Sequence, residues 1–184
     1  MKALVAALVL VPVVATAQPA EVAAIQAREA RNADARTLAE LGRFRSALVQ
    51  RFGGYVRLTM LGFREGEGEA LVLRPGGKVE HVIRQGEAWI STANRKLVPW
   101  ASPGVAASNA FALSSVRAEP IEAWQDAWRK RPGRATDFVT HYALGYDPNV
   151  ARVVVRARVG SMATGRLAEH AFDAASGAPL APTK

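Results

Sequence analysis

The sequence predicts an α+β protein in which helices pack on one face of an antiparallel sheet. Three observations support this fold class. Apolar residues recur at helical spacing before residue 52, short alternating apolar segments separated by Gly and Pro turns follow, and the same order then occurs a second time. The helical stripe consists of Leu38, Leu41, Phe44, Leu48 and Phe52.

The N-terminus has the three parts of a secretory signal peptide. Met1 and Lys2 give a positive start, residues 3–14 are apolar, and Ala15-Thr16-Ala17 supplies a small-x-small cleavage pattern. The apolar run is shorter than the roughly 20 residues of a membrane span. We therefore expect cleavage near Ala17 and an exported chain, either periplasmic or secreted. The alternative is a buried N-terminal helix.

Composition narrows the classes of partner and chemistry. The 184 residues include 24 basic and 16 acidic side chains, for a net charge of +8, and no cysteine. The absence of cysteine excludes disulfides, thiolate chemistry and a lipid-anchored cysteine. In an exported chain, positive charge favours an envelope protein, a peptide or an anionic polymer over nucleic acid. The alternative is scattered arginine that only gives solubility.

The first half is predicted to begin with helix over residues 18–52. Residues 18–36 form an N-terminal helical arm, and Thr37-x-x-Glu40 has the form of a capping box that would start the main helix. Gly53-Gly54 ends the helix. Residues 37–100 then constitute the first helix-plus-meander unit.

Strands follow in this unit. Residues 55–63 alternate, which places Val56, Leu58 and Met60 on one face. The Pro75-Gly76-Gly77 turn joins two strands as a hairpin, because Pro fixes φ and Gly allows positive φ. A further strand is expected over residues 88–92, and an edge strand over residues 96–100 because a Pro there cannot donate to an inner ladder.

Residues 101–118 are Ala- and Ser-rich and are interpreted as a linker with a short helix. The second unit covers residues 119–177. Its helix begins at Pro120, buries Ile121, Trp124 and Trp128 on one stripe, and is followed by three strands. Residues 178–184 are expected to form a flexible tail.

The two halves also share local sequence. Leu61-Gly62-Phe63 matches Leu144-Gly145-Tyr146, residues 71–74 match residues 153–156, and His81 matches His170. A helix on three strands buries little apolar surface alone, so two such units are expected to share one sheet and one core. The alternative to duplication is coincidence among strand-forming residues.

The C-terminal stretch FDAASGAPL places Asp173, Ser176 and Gly177 in an Asp-x-x-Thr-Gly-like turn, with Ser in place of Thr. This turn, after a helix and an antiparallel meander in an exported chain, resembles the PepSY-type module over about the last 50 residues. The resemblance implies a regulatory, inhibitory or binding unit and supplies no site residues.

Motifs for catalysis are scarce. The chain has no Gly-x-Ser-x-Gly, P-loop or dinucleotide fingerprint. Its histidines, His81, His141 and His170, lie apart on predicted strands, where ordinary half-exposed strand histidines are favoured over metal ligands. The Gly-rich turn with Glu65, Glu67 and Glu69 is interpreted as solvated rather than cation-binding.

We therefore expect a non-catalytic binding or regulatory protein of the bacterial cell envelope, with no cofactor and no metal. The sheet face opposite the helices is expected to carry arginine and aromatic residues. One alternative is a carrier that holds an amphiphile in a curved-sheet groove. Another is a hydrolase in which His81 or His141 lies near a carboxylate in a cleft. The predicted contact residues are Arg57, Arg74, Arg84, Trp89, Trp100 and Arg156.

Overall fold

A computed structural model describes residues 19–91 and 108–181 and shows an α+β fold with one antiparallel sheet. The elements are α1 (Pro19–Phe52), β1 (Arg57–Arg64), β2 (Glu67–Leu73), β3 (Val79–Gln85), β4 (Ala88–Ser91), β5 (Phe111–Ala112), α2 (Glu119–Arg129), β6 (Asp137–Asp147), β7 (Arg152–Ser161) and β8 (Leu167–Asp173). The strand order is β4-β3-β2-β1-β6-β7-β8, and β5 pairs with the start of β1. The predicted fold class is confirmed.

The first helix, α1, is continuous over 34 residues. The predicted helix start at Thr37 is wrong, because Thr37 and Glu40 are buried in the middle of α1 and the helix has no break there. Glu40 forms an ion pair with Arg43 at 2.7 Å instead of capping a terminus. The predicted end is confirmed: α1 ends at Phe52, and Gly53 follows with φ of 91°.

The face of β1 that meets the helices is set by a bulge. The pairing of β1 with β2 shifts between Leu58 and Met60. A bulge adds one residue and reverses the alternation beyond it. Leu58 and Leu61 are therefore buried in the core, while Met60 is only partly buried. The prediction that Met60 shares a face with Leu58 is wrong for this reason.

The core lies between the sheet and the two helices. Phe44 of α1 is fully buried, and Phe63 stacks on Tyr142 with ring centroids 5.1 Å apart. In α2, Trp124 stacks on Phe172 at 4.6 Å and on Trp128 at 5.7 Å. Both tryptophans are buried, which confirms their assignment to the core.

Part of the predicted linker belongs to the hydrophobic core. Phe111, Leu113 and Val116 are buried in the core, and Leu113 donates its N–H to the carbonyl of Val56 at 2.9 Å. Residues 108–118 therefore complete the core rather than only connect two units. The predicted signal peptide, the edge strand over residues 96–100 and the end of the tail lie outside the described residues.

The two helix-plus-strand halves meet in one sheet through β1 and β6. Leu61 pairs with Leu144, and Gly62 and Met60 pair with Ala143 and Gly145 on either side. The two Leu-Gly-aromatic stretches are thus related by an approximate two-fold axis through the Leu61–Leu144 pair. Duplication of the halves stays a prediction.

The other matches between the halves do not share this symmetry. His81 pairs with Leu71 and approaches the Glu69 carboxylate, while His170 lies 4.1 Å from Trp128 on the face that meets α2. The two histidines point to opposite faces of the sheet. The predicted equivalence of His81 and His170 is therefore wrong.

The Asp173–Gly177 turn holds the end of β8 against the start of α2. One carboxylate oxygen of Asp173 accepts hydrogen bonds from the N–H groups of Ala175 and Ser176 and from the Ser176 hydroxyl, at 2.8 to 3.0 Å. Gly177 has φ of 72°, and a Cβ there would lie 2.4 Å from the Pro120 carbonyl oxygen. Only glycine fits this conformation and this approach.

Replacing Asp173 with asparagine is expected to cost about 1 kcal/mol of unfolding free energy near neutral pH. Burial raises the pKa of Asp173, but hydrogen bonds from Ser176, Arg152 and Ala175 outweigh it, so its pKa lies below the ordinary 3.8. A carboxyl with a lowered folded-state pKa stabilises above its unfolded pKa and loses this effect as pH falls through the folded value.

Urea denaturation of both proteins across the acidic range checks this. The stability difference between the wild type and Asp173→Asn should shrink as the medium becomes acidic. A difference that stays constant into strong acid would contradict the assigned role of the carboxylate.

Candidate functional site

A cleft of about 580 Å³ lies at the β8 end of the sheet. It is formed by the end of α2, by β7 and β8, and by residues 179–181, which follow the Asp173–Gly177 turn. We call it the β8 cleft. The side chains that give it chemical character are Trp124, Trp128, Arg131, Arg156, Glu169 and His170.

The helix side of the β8 cleft is a stack of aromatic and cationic groups. The amphipathic α2 buries Trp128 against the ring of His170 at 4.1 Å. The helix ends at Arg129, so Arg131 lies in the turn that follows, with its guanidinium 4.9 Å from the Trp128 ring centroid. Arg134 approaches the same ring at 5.0 Å. Cation–π contacts of this kind hold arginines over an indole face.

The charge of Arg131 is not matched by any carboxylate in the part of the chain that the structure describes. Across residues 19–91 and 108–181, no Asp or Glu oxygen lies within 4.0 Å of its guanidinium nitrogens, whereas Arg134 pairs with Asp137 at 3.4 Å. Burial lowers the pKa of His170, and the positive charges of Arg134 and Arg131 lower it further. The positive charge on this side of the cleft therefore comes from arginine rather than from histidine.

The sheet side of the β8 cleft is charged and ordered by ion pairs. Arg156 on β7 binds Asp147 at 2.7 Å and approaches Glu169 of β8 at 3.9 Å. Val154 lies beneath them and is fully buried. These residues belong to the face away from the helices, because Arg156 pairs with Ala143 and Ala171 while its neighbour Val155 lies in the core. The cleft thus wraps around β8.

The outer edge of β8 is only partly paired. The segment after the turn runs back along it: Leu180 donates its N–H to the Ala171 carbonyl at 2.9 Å, and Asp173 donates to Ala178 at 2.9 Å. Residues 167–169 are exposed, and Leu167 keeps 64% of its surface accessible. Of the strands that the structure describes, none pairs with this stretch other than β7.

One predicted contact residue, Arg156, lies in the β8 cleft. The placement of Arg84 and Trp89 on the face away from the helices is wrong, because the β3–β4 pairing sets them opposite each other on the side of α1. Arg84 forms an ion pair with the buried Glu40 at 3.5 Å. Trp89 lies 6.0 Å from Phe44, and Arg51 covers it at 4.8 Å.

The remaining predicted contact residues lie elsewhere. Arg57 is partly buried at the start of β1, between Leu73 and Ala112. Arg74 is exposed beside Phe52, with its guanidinium 4.9 Å from that ring. Trp100 lies outside the described residues. The structure therefore does not bring the predicted contact residues into one site.

Sequence reasoning missed Arg131, Glu169 and His170. Arg131 looks like an ordinary basic residue at a helix C-terminus, and His170 looks like one position of an alternating strand. The available signal was the position of Arg131 three residues after a buried tryptophan and directly before Pro132-Gly133, where the chain leaves the helix. That signal indicates an exposed arginine near an indole, but not the strand that faces it.

A second polar group lies on the sheet face away from the helices. The Nε2 of His81 and a carboxylate oxygen of Glu69 are 2.6 Å apart, and the two residues lie on neighbouring strands. His141 lies close to Gly62 in the same region, and burial lowers its pKa, against an opposing effect of the Glu69 charge. Neither Glu69 nor His81 lines the β8 cleft.

The interpretation of the Glu-rich stretch as one turn needs correction. Only Glu65 and Gly66 form the turn, while Glu67 and Glu69 lie on β2, where Glu67 binds Arg64 at 2.7 Å. Within the described ranges, no group of three or more His, Asp or Glu side chains is placed to hold a metal ion.

Neither α-helix among the described residues has the length and hydropathy needed to cross a membrane. The fold and the cleft define an α+β protein with an antiparallel sheet and an aromatic, arginine-lined site at one sheet edge. No protein-family model, curated protein or solved structure matches the chain.

Proposed function

We propose that the protein is an exported, non-catalytic binding protein of the bacterial cell envelope that recognises a peptide or a segment of another protein in the β8 cleft. The observation that carries this proposal is Arg131, which has no carboxylate partner among residues 19–91 and 108–181 and stacks on Trp128 at the wall of a cleft of about 580 Å³. The N-terminal pattern of residues 1–17 supports export.

The chemistry of the cleft suits a peptide. Tryptophan and arginine dominate the binding energy of protein interfaces, since they combine a large apolar surface with directional polar contacts. The cleft also has the size of a typical ligand site. Its lining joins indole rings to Arg131 and to the Arg156–Asp147 pair, so it offers both an apolar surface and hydrogen-bonding groups.

The two alternative functions have weaker support. A carrier of an amphiphile needs an apolar groove for the tail, whereas charged side chains line much of the β8 cleft. One observation favours the hydrolase alternative, because Glu69 and His81 are within hydrogen-bonding distance at 2.6 Å. That pair lies outside the β8 cleft and links the neighbouring strands β2 and β3.

Replacing Arg131 with alanine is expected to weaken peptide binding about tenfold, because an arginine anchor in an interface contributes more than about 1 kcal/mol. The measurement selects binders from a random peptide library displayed on phage, then titrates one synthetic binder calorimetrically against each variant. Arg74→Ala is the matched control, since the Arg74 side chain is 42% exposed at the end of β2, which β1, β6 and β7 separate from β8 in the sheet.

Two results would contradict the proposal. One is the failure of the library to yield any binder for the wild type. The other is a binder whose affinity is unchanged in Arg131→Ala and in Arg156→Ala, since it would show recognition outside the β8 cleft.

A further inference from the structure

We propose that the ligand of the β8 cleft is an extended acidic peptide that adds as a strand to the outer edge of β8 at Leu167–Glu169. This inference rests on the proposed function and specifies its ligand and binding mode. It combines three observations: the chain's own use of this edge, the direction of the free backbone groups, and the charge of the surrounding side chains.

The chain itself shows that the outer edge of β8 accepts an extended segment. Residues 178–180 run antiparallel to the end of β8, with a bridge between Phe172 and Pro179 and with hydrogen bonds to Ala171 and Asp173. Among the described residues, this pairing covers only the C-terminal part of the strand. The N-terminal part, residues 167–169, is exposed and continues the same edge.

The backbone groups of this open stretch point outward at alternate residues. Ala171 and Asp173 make their hydrogen bonds to the returning segment, so their N–H and C=O groups face away from β7. Because the backbone of a strand repeats every two residues, the N–H and C=O groups of Glu169 and Leu167 also face away from β7. An incoming strand therefore finds donors and acceptors at the spacing that the chain's own segment uses, as in recognition by strand addition.

The surrounding charge favours an acidic peptide. Arg131 and Arg134 lie over Trp128 on the helix side of β8, and Arg158 pairs in register with Glu169 from β7. Arg131 and Arg158 have no carboxylate within ion-pair distance among the described residues, while Asp147 already binds Arg156. Asp137 offsets Arg134, and Glu169 is one carboxylate beside Arg131 and Arg158, so the edge keeps an excess positive charge that complements acidic side chains.

The decisive variant is Glu169→Pro. Proline removes the N–H of residue 169, which points outward, and leaves the hydrogen bonds between β8 and β7 in place. Glu169→Ala is the matched reference, because it removes the same carboxylate and keeps the N–H. The ratio of the two dissociation constants therefore isolates the backbone hydrogen bond to the incoming strand.

The probe is a peptide of about eight residues that alternates valine and glutamate, long enough to span the open edge at roughly 3.3 Å per residue. A second peptide has lysine in place of glutamate. Binding is titrated calorimetrically, and two-dimensional NMR spectra verify that each variant is folded. We expect the acidic peptide to bind wild type at least tenfold more tightly than the lysine peptide, and Glu169→Pro at least tenfold more weakly than Glu169→Ala.

Other outcomes overturn the inference in distinguishable ways. Equal affinities of the proline and alanine variants, with binding retained, would exclude strand addition and leave the proposed function intact. Absence of binding to these peptides and to every library peptide would reject both strand addition and the proposed function. Concentration-dependent dimerisation of the wild type that is abolished by Glu169→Pro would assign the edge to a second copy of this chain.

Discussion

Replacing Asp34 with alanine is expected to lower the free energy of unfolding by about 3–5 kcal/mol. Asp34 is buried on α1, accepts a hydrogen bond from the Val139 N–H at 2.6 Å, and forms an ion pair with Arg129 of α2. One carboxylate thus joins both helices and β6. Its loss leaves the Arg129 charge, 17% exposed, without this partner and the Val139 N–H without an acceptor.

Two further variants separate these contributions. Burial raises the pKa of Asp34, and the Val139 N–H and Arg129 only partly oppose it, so a neutral side chain is tolerated there. Asp34→Asn keeps an oxygen acceptor and should lose about 1–2 kcal/mol. The double variant Asp34→Ala/Arg129→Met removes both charges and should recover part of the loss of Asp34→Ala, because removing an entire buried pair costs less than breaking it.

Urea denaturation followed by far-ultraviolet circular dichroism measures all three variants. A loss below about 1 kcal/mol for Asp34→Ala would contradict the role assigned to this carboxylate. A double variant no more stable than Asp34→Ala would show that the Arg129 charge, which then has only Asp126 at 3.6 Å as an ion-pair partner among the described residues, is not the source of the cost.

Replacing Gly68 with alanine is expected to destabilise the protein by about 1–3 kcal/mol through overpacking. Gly68 lies on β2 beneath α1, and a Cβ there would lie 2.3 to 2.6 Å from three ring atoms of Phe44. Phe44 is fully buried within the core, so its ring cannot turn out into solvent. Either the ring or the helix must shift, and the core loses contacts.

The matched control is Gly62→Ala on the neighbouring β1. A Cβ at Gly62 would lie 3.4 Å from the nearest atom, in the His141 ring, which is close to ordinary contact. Thermal unfolding of both variants should show a clear loss for Gly68→Ala and a smaller one for Gly62→Ala. The double variant Phe44→Leu/Gly68→Ala should be more stable than the sum of its single changes predicts. Additive losses would mean that the two residues do not compete for the same space.

The elements of the fold were largely predictable because local patterns encode them. The stripe through Phe44, the proline at the start of α2, and the Pro75-Gly76-Gly77 turn act within a few residues, so they indicate helix, helix start and hairpin directly. The buried stripe of Trp124 and Trp128 was likewise readable from helical spacing. Prediction failed where residues that form a local motif have another role in the tertiary structure. Thr37 and Glu40 resemble a capping box but are buried in the middle of α1.

The candidate site was much less predictable. Arginines are common in this chain, and the residue type alone does not show which arginines lie close together in the fold. Arg84 was predicted to be a contact residue, but the register of β3 directs it toward α1 and the buried Glu40. Arg156 lies in the β8 cleft, but its partners Asp147 and Glu169 come from the end of β6 and from the edge strand β8.

The sequence by itself determined the α+β class, the end of α1, the apolar stripe of α2 and most strands along the chain, since these follow from periodicity and from the backbone preferences of Gly and Pro. Only the tertiary structure decided which face each side chain occupies and which segments meet at the β8 cleft. The physical reason is that a strand has a period of two. The bulge after Leu58 reverses every later side chain of β1, and the pairing of β7 with β8 brings Arg156 to Glu169 across residues that no local pattern connects.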